Sequence, residues 1–269
     1  MSEGTRIPFI TRKPTVAVIR LQGPIGMSTR GTSLSDASVA PMLERAFRRR
    51  KPVAVAIAVN SPGGSPVQSS LIAARIRRLG DELDMPVHIF VEDVAASGGY
   101  WLACAGDRIW ADATSVLGSI GVISAGFGFT ELIQRYGIER RVHTAGRSKS
   151  MLDPFQPQKP EDVARLNRLL EPMHETFKDY VRQRRGNRLA PDTDLFTGDI
   201  WTGNQAVELG LADGIGHLIP KMRELYGKDV AFLPYGQRVP LLRRFGLSAD
   251  DFVEAAERRA AEMRFGIRG

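Results

Sequence analysis

Seven consecutive apolar residues, Val53-Ala54-Val55-Ala56-Ile57-Ala58-Val59, run without interruption into Asn60-Ser61-Pro62-Gly63-Gly64-Ser65-Pro66. Side chains along a strand point alternately to opposite faces, so a strand with one wet face alternates apolar and polar. An unbroken apolar run ending at a Gly/Pro turn instead fits a strand covered on both faces, as in a parallel sheet flanked by helices. The rest of the chain keeps that rhythm. Strands are predicted at 16–21, 87–91, 108–111 and 139–143, and helices at 35–50, 67–79, 97–105, 130–136, 160–185, 201–209 and 219–226. Alternating strands and helices specify an α/β fold with right-handed crossovers. Residues 1–236 read as one domain. Residues 237–269 read as a basic appendage with an amphipathic helix at 250–264, suited to packing on a neighbouring subunit or to peripheral contact with an anionic membrane.

Two turns carry candidate chemistry. In Asn60-Ser61-Pro62-Gly63-Gly64, the paired glycines let backbone N–H groups approach a ligand at a helix N-terminus. The same composition also makes an ordinary strand-to-helix turn. Ala95-Ala96-Ser97-Gly98-Gly99 repeats the arrangement around a serine, which reads equally as an N-cap or as a nucleophile. It is not a G-x-S-x-G elbow, because Ala95 stands at the first glycine position. Lysine is scarce here: seven of the 37 basic residues are Lys. Arginine keeps its proton, whereas a desolvated lysine can act as a general base. Lys149, in the loop Arg147-Ser148-Lys149-Ser150, therefore points to Ser/Lys hydrolase chemistry with Ser97.

Histidine is the competing base. His88 and His174 read as structural, from a strand and a long helix, and His143 lies near Lys149 in sequence and could serve. No Asp stands at a telling spacing from His143, and no Cys/His cluster has metal-ligand spacing. Neither a metal nor another cofactor is expected.

Net charge is +7, with clusters such as Arg48-Arg49-Arg50 and Arg182-Gln183-Arg184-Arg185. Each cluster closes a helical segment, where cations suit the dipole, and no nucleic-acid-binding motif accompanies them. Nucleic acid is not an expected partner. Cys104 is the lone cysteine, the N-terminus lacks a secretory signal, and no apolar stretch is long enough to span a bilayer. A cytoplasmic location is expected, with peripheral contact at the inner membrane as the variant.

Five motifs in order carry a family resemblance. They are Val59-Asn60-Ser61-Pro62-Gly63-Gly64, then Ala95 to Ala103, then Leu117-Gly118-Ser119-Ile120-Gly121-Val122, then Lys149 to Phe155, then Ile200-Trp201-Thr202-Gly203 through Gly210-Leu211-Ala212-Asp213. Together they closely resemble the signal peptide peptidase A family, in particular its short, single-repeat, SohB-like members. The resemblance implies a ClpP/crotonase-like spiral of repeated ββα units and an ATP-independent serine endopeptidase. It implies Ser97 as nucleophile, Lys149 as general base and Ser119 as the hydroxyl that holds the lysine amine. Gly64 and Gly98 would supply oxyanion N–H groups, and Gly63, Ser65, Ile120, Gly121 and Val122 would line the substrate. The substrates implied are signal-peptide remnants and other unfolded apolar peptides. The assembly implied is a homo-oligomeric ring, an octamer, in which Lys149 of one subunit completes the site of its neighbour. A crotonase-like acyl-CoA enzyme and an inactive peptide-binding ring scaffold are the alternatives. The first would share the oxyanion turns without needing Ser97 or Lys149.

Overall fold

The computed structural model describes residues 13–26, 33–146 and 148–236. The expected tail at 237–269 and the first residues of the chain lie outside the described residues. The described chain runs β1 (Thr15–Gln22), α1 (Asp36–Arg48), β2 (Ala54–Ser61), α2 (Pro66–Glu82), β3 (Val87–Ala96), α3 (Gly98–Ala103), β4 (Arg108–Ala111) and β5 (Val116–Gly118). It continues through α4 (Thr130–Arg135), α5 (Pro160–Arg185), β6 (Ile200–Thr202), α6 (Gly203–Glu208), β7 (Gly214–Ile215), α7 (Leu218–Tyr226) and β8 (Ala231–Tyr235). The strands form one sheet in the order β6-β5-β3-β2-β1-β8, with β4 joining β3 to β7. Every pairing is parallel except β5 with β6.

The apolar run around β2 is explained by what covers it. Val55, Ile57 and Val59 point into the larger core with α1, α2 and α3. Ala54 and Ala56 point the other way, against Phe90, Met222 of α7 and Val230. All five are fully buried, and burying a Val or Ile side chain contributes about 1.5–3 kcal/mol. Next to it, β3 changes partner part-way along. His88 to Val91 pair with β4, while Val94 to Ala96 pair with β5, on either side of Glu92 and Asp93. The register between β2 and β3 also shifts between Val59 and Ser61. These irregularities let one strand serve two turns of the sheet, and both β2 and β3 end beside each other where the candidate turns begin.

The structure departs from the sequence reading in places. Residues 139–143 form no strand, and all five are exposed. A strand needs a partner for its N–H and C=O groups, and the described chain offers none there. Residue 201 does not begin a helix: Ile200–Thr202 pairs with β5, and α6 starts at Gly203 behind a capping box of Thr202 and Gln205. The short strands β5, β7 and β8 escaped because two to five residues carry no usable periodicity. β8 includes Pro234, which suits its place at the sheet edge.

The basic clusters are largely paired. Arg48 pairs with Glu44 and Glu82, and Arg184 donates to the carbonyls of Cys104 and Gly106. Arg185, 2% exposed, turns inward to Asp213, 5% exposed, at 2.8 Å. It also donates to Gly210 O at 2.8 Å, while Asp213 accepts the Ile109 N–H at 2.7 Å. This ties the end of α5 to β4 and to the segment before β7. Burial pushes the Asp213 carboxyl up, but the hydrogen bond and charge of Arg185, the Ile109 N–H and Arg188 outweigh it, so it sits below the ordinary carboxylate range. Stability from a depressed carboxylate is present above its unfolded-state value and lost as pH falls through the folded one. Asp213→Asn should therefore cost about 3–5 kcal/mol at neutral pH, because Arg185 is left buried without its counter-charge. The cost should shrink as wild type loses this stabilisation below about pH 4. Urea unfolding of both proteins at neutral and acid pH measures it.

Candidate active site

The site begins where β2 and β3 end. Beyond Ser61 the chain turns at Pro62-Gly63-Gly64, and α2 starts with Ser65 capping the Gln68 N–H. The buried Ser61 hydroxyl accepts from Gly63 N. Ile25 brackets Gly64: Ile25 N donates to Gly63 O and Ser65 N donates to Ile25 O, both at 2.8 Å. Gly64 has φ +144°, and a Cβ there would overlap the Ile25 carbonyl. Glycine is thus required by both conformation and space. The Gly64 N–H lies between those two bonds and has no acceptor among the described residues.

Ser97 occupies the single residue between β3 and α3. Its backbone stands at φ +52°, ψ −119°, a region that costs a non-glycine residue roughly 1–3 kcal/mol and persists only where surroundings impose it. Here Ser97 N–H donates to Gly118 O at 2.8 Å, and Ser97 O accepts Trp101 N–H at 3.0 Å. The side chain makes no capping hydrogen bond to α3. Of the two readings left open by the sequence, the cap is removed: the hydroxyl is free of the helix it precedes. The Gly98 N–H, like that of Gly64, has no acceptor among the described residues. A Cβ on Gly63 would lie 2.7 Å from Gly98 N and 2.9 Å from Ser97 Cβ, and one on Gly98 would lie 3.3 Å from Gly64 N. The two glycine turns therefore abut, with two unused N–H groups beside one strained serine.

Ser119 follows β5 one residue beyond the carbonyl that holds Ser97. It is 9% exposed, at φ +51°, and donates its N–H to Asp199 O at 2.6 Å. Gly118 packs so closely on the Trp201 ring that a Cβ would overlap it. Ile120 is fully buried, and Gly121 and Val122 are half-buried. Ser97 thus stands against Gly63, Gly64 and Gly98, with Ser65 following Gly64, and the Ser119 turn, continued by Ile120, Gly121 and Val122, follows the Gly118 carbonyl that holds Ser97.

Lys149 is not gathered with them. After Val122 the chain leaves the core in an arm, 123–159, most of which is exposed. Lys149 sits in its outer turn, exposed; its backbone N–H donates to Gly146 O at 3.2 Å, and its side chain shares no hydrogen bond or ion pair with any described residue. The apolar surroundings expected of it come only partly from its own chain: Met151, Leu152 and Phe155 are half-buried. The base of the turn is braced. Arg140 donates to Asp153 at 2.9 Å and lies over the Phe155 ring, which packs on Phe129. Ile123, Phe127, Leu132, Tyr136 and Ile138 of the arm are exposed apolar side chains, as are Leu169 and Met173 on α5.

No histidine shares a hydrogen bond with Ser97 among the described residues. His143 is exposed in the arm, and His217 pairs with Asp112. His88 donates to or accepts from Tyr226 OH at 2.8 Å, and burial lowers its pKa. His174 keeps its structural reading: its Nε2 meets Ile120 O in the Ser119 turn at 3.0 Å. Asp199, Trp201 and His174 all support this turn and were missed as site residues. Trp201 had a signal, since it stands in a quoted motif, but Asp199 acts through its carbonyl, which carries no sequence signature.

Residues 81–226 match the model of peptidase family S49. The chain belongs to that family. The match holds Ser97, Ser119 and Lys149, and the parallel-dominated α/β sheet is the ClpP/crotonase-like architecture expected for S49. Among curated relatives, the protein named "Na(+)/H(+) antiporter NhaA" of Brucella melitensis is 54% identical over 218 residues, 80% of this chain and 30% of that protein. A putative signal peptide peptidase SppA of Enterococcus faecium is 32% identical over 61% of this chain and 47% of its own. The probable protease SohB of Haemophilus influenzae is 31% identical over 73% and 55%. The chain thus spans from about a third to about half the length of these relatives. Among the described residues no helix is long and apolar enough to cross a membrane.

Proposed function

We propose that this chain is an ATP-independent serine endopeptidase that cleaves unfolded apolar peptides, signal-peptide remnants among them. The observation that carries the reading is Ser97 itself, held at positive φ, with a hydroxyl uncommitted to its helix, and flanked by the idle N–H groups of Gly64 and Gly98. In an acyl transfer the hydroxyl attacks the scissile carbonyl, and the two N–H groups stabilise the negative charge that develops on its oxygen. A general base must take the Ser97 proton and later return it to the leaving amine. Lys149 is that base, and Ser119 holds its amine. Gly63, Ser65, Ile120, Gly121 and Val122 then flank the bound peptide. The S49 match favours this chemistry over a crotonase-like acyl-CoA reaction.

Lys149 reaches Ser97 of a neighbouring subunit. Supporting this, the arm lifts Lys149 away from its own core and exposes an apolar surface that a second copy would cover. A homo-oligomeric ring, with an octamer favoured, closes such a head-to-tail contact. Apolar surface from the neighbour would also desolvate the amine, which favours its neutral form. Work beside the membrane is the proposed setting. It is supported by the S49-like stretch shared with proteins named for a sodium/proton antiporter.

The test is hydrolysis of an unfolded apolar peptide without ATP, followed across pH. An ordinary lysine needs roughly 4.6 kcal/mol to be neutral at pH 7, so the active fraction is limited by deprotonation. The rate should climb with pH as the amine loses its proton and then level off, and EDTA should leave it unchanged. Inhibition by EDTA that zinc reverses, or a rate that falls with rising pH, would remove the reading.

A further inference from the structure

The turn that carries Ser119 is held at three consecutive residues. Gly118 O accepts the Ser97 N–H at 2.8 Å, Ser119 N donates to Asp199 O at 2.6 Å, and Ile120 O meets His174 Nε2 at 3.0 Å. The first two contacts are backbone to backbone. The third is a side chain, and it comes from α5. A carbonyl can only accept, so Nε2 carries the proton and donates. We infer that His174 is a positioning residue for the S49 site, holding the Ser119 turn, and the root of the Lys149 arm, to α5.

Ile120 is the last fully buried residue before the chain leaves the core, and α5 is the element by which it returns. His174 therefore ties the outgoing root of the arm to its incoming root. The same helix fixes the nucleophile's side. Phe177 and Tyr180 stack on Trp101 of α3, with ring centroids 4.6 Å and 5.4 Å apart. Ser97 leads directly into α3. Within two turns of α5, one set of contacts positions the helix behind Ser97 and one hydrogen bond positions the Ser119 turn. Ser119 also sits at φ +51°, a conformation that its anchors must impose. Loss of one anchor should let the turn relax and move the Ser119 hydroxyl. This inference rests on the Ser/Lys reading above.

The test uses the full chain with two substitutions. His174→Phe keeps a flat ring but removes the donor. His174→Gln keeps an amide N–H at similar reach. His174→Phe should lower kcat about 10- to 100-fold, the scale of a small misplacement in an active site, with KM little changed. It should also shift the rising limb of the pH–rate profile, because the Ser119 turn positions the proposed base. His174→Gln should recover most of kcat and the wild-type limb. Wild-type kcat and profile in His174→Phe would overturn the inference. So would equal losses in both variants with an unshifted limb and matching falls in Tm, which would make His174 merely structural. Ser97→Ala and Lys149→Ala, assayed alongside, separate the two failures. If they abolish turnover and His174→Phe does not lower it, this inference alone falls. If they leave turnover intact, the dyad reading falls and takes this inference with it.

Discussion

Ser97→Ala is expected to reduce peptide hydrolysis by at least about 10⁴-fold, and Lys149→Ala by a similar factor, because members of a catalytic unit fail together. For the same reason the double variant should be little worse than either single one. Lys149→Arg should fail as well, since the guanidinium keeps its proton. Folding should survive each change. The Ser97 side chain caps no helix, and the Lys149 side chain stands exposed on the arm without a partner among the described residues. Peptide turnover beside a thermal melt checks both halves of the expectation. Substantial turnover by Lys149→Ala would transfer attention to another base. His143 is the obvious candidate, since it shares the arm with Lys149.

The second large effect is a gain. Ser97→Ala and Lys149→Ala subunits, each inactive alone, should recover activity when mixed under conditions that allow exchange. Where a Ser97→Ala subunit extends its intact Lys149 toward a Lys149→Ala subunit, that neighbour's intact Ser97 finds a base. Rates of the separate and mixed proteins at equal total concentration give the answer. Subunits that demonstrably exchange without any recovery would put the dyad within one chain. The arm would then have to fold back onto its own site, with its exposed apolar residues accounted for in some other way.

Much of the core was legible because burial on two faces leaves an unbroken apolar run. Residues 53–59 announced a central parallel strand, and the glycine turns after β2 and β3 announced where a ligand could approach backbone. What sequence could not give was the conformation of Ser97. The positive φ and the absent side-chain cap distinguish Ser97 from an ordinary helix-starting serine. Residues 139–143 read as a strand because their pattern is strand-like, yet pattern does not supply an edge to pair with. His174 was passed over because a histidine inside a long helix says nothing of the carbonyl it will meet 54 residues away in sequence. The lysine's motif is local and readable, but its exposure on the arm, away from Ser97, is set by the fold and not by the motif.

A Ser97 nucleophile activated by Lys149 should react with an electrophilic phosphonate. Treatment of the full chain with a fluorophosphonate, followed by peptide mapping in a mass spectrometer, tests it most directly. One adduct should form, on Ser97, absent from Ser97→Ala and formed far more slowly in Lys149→Ala. An adduct on a different residue, or labelling of Lys149→Ala at the wild-type rate, would contradict it.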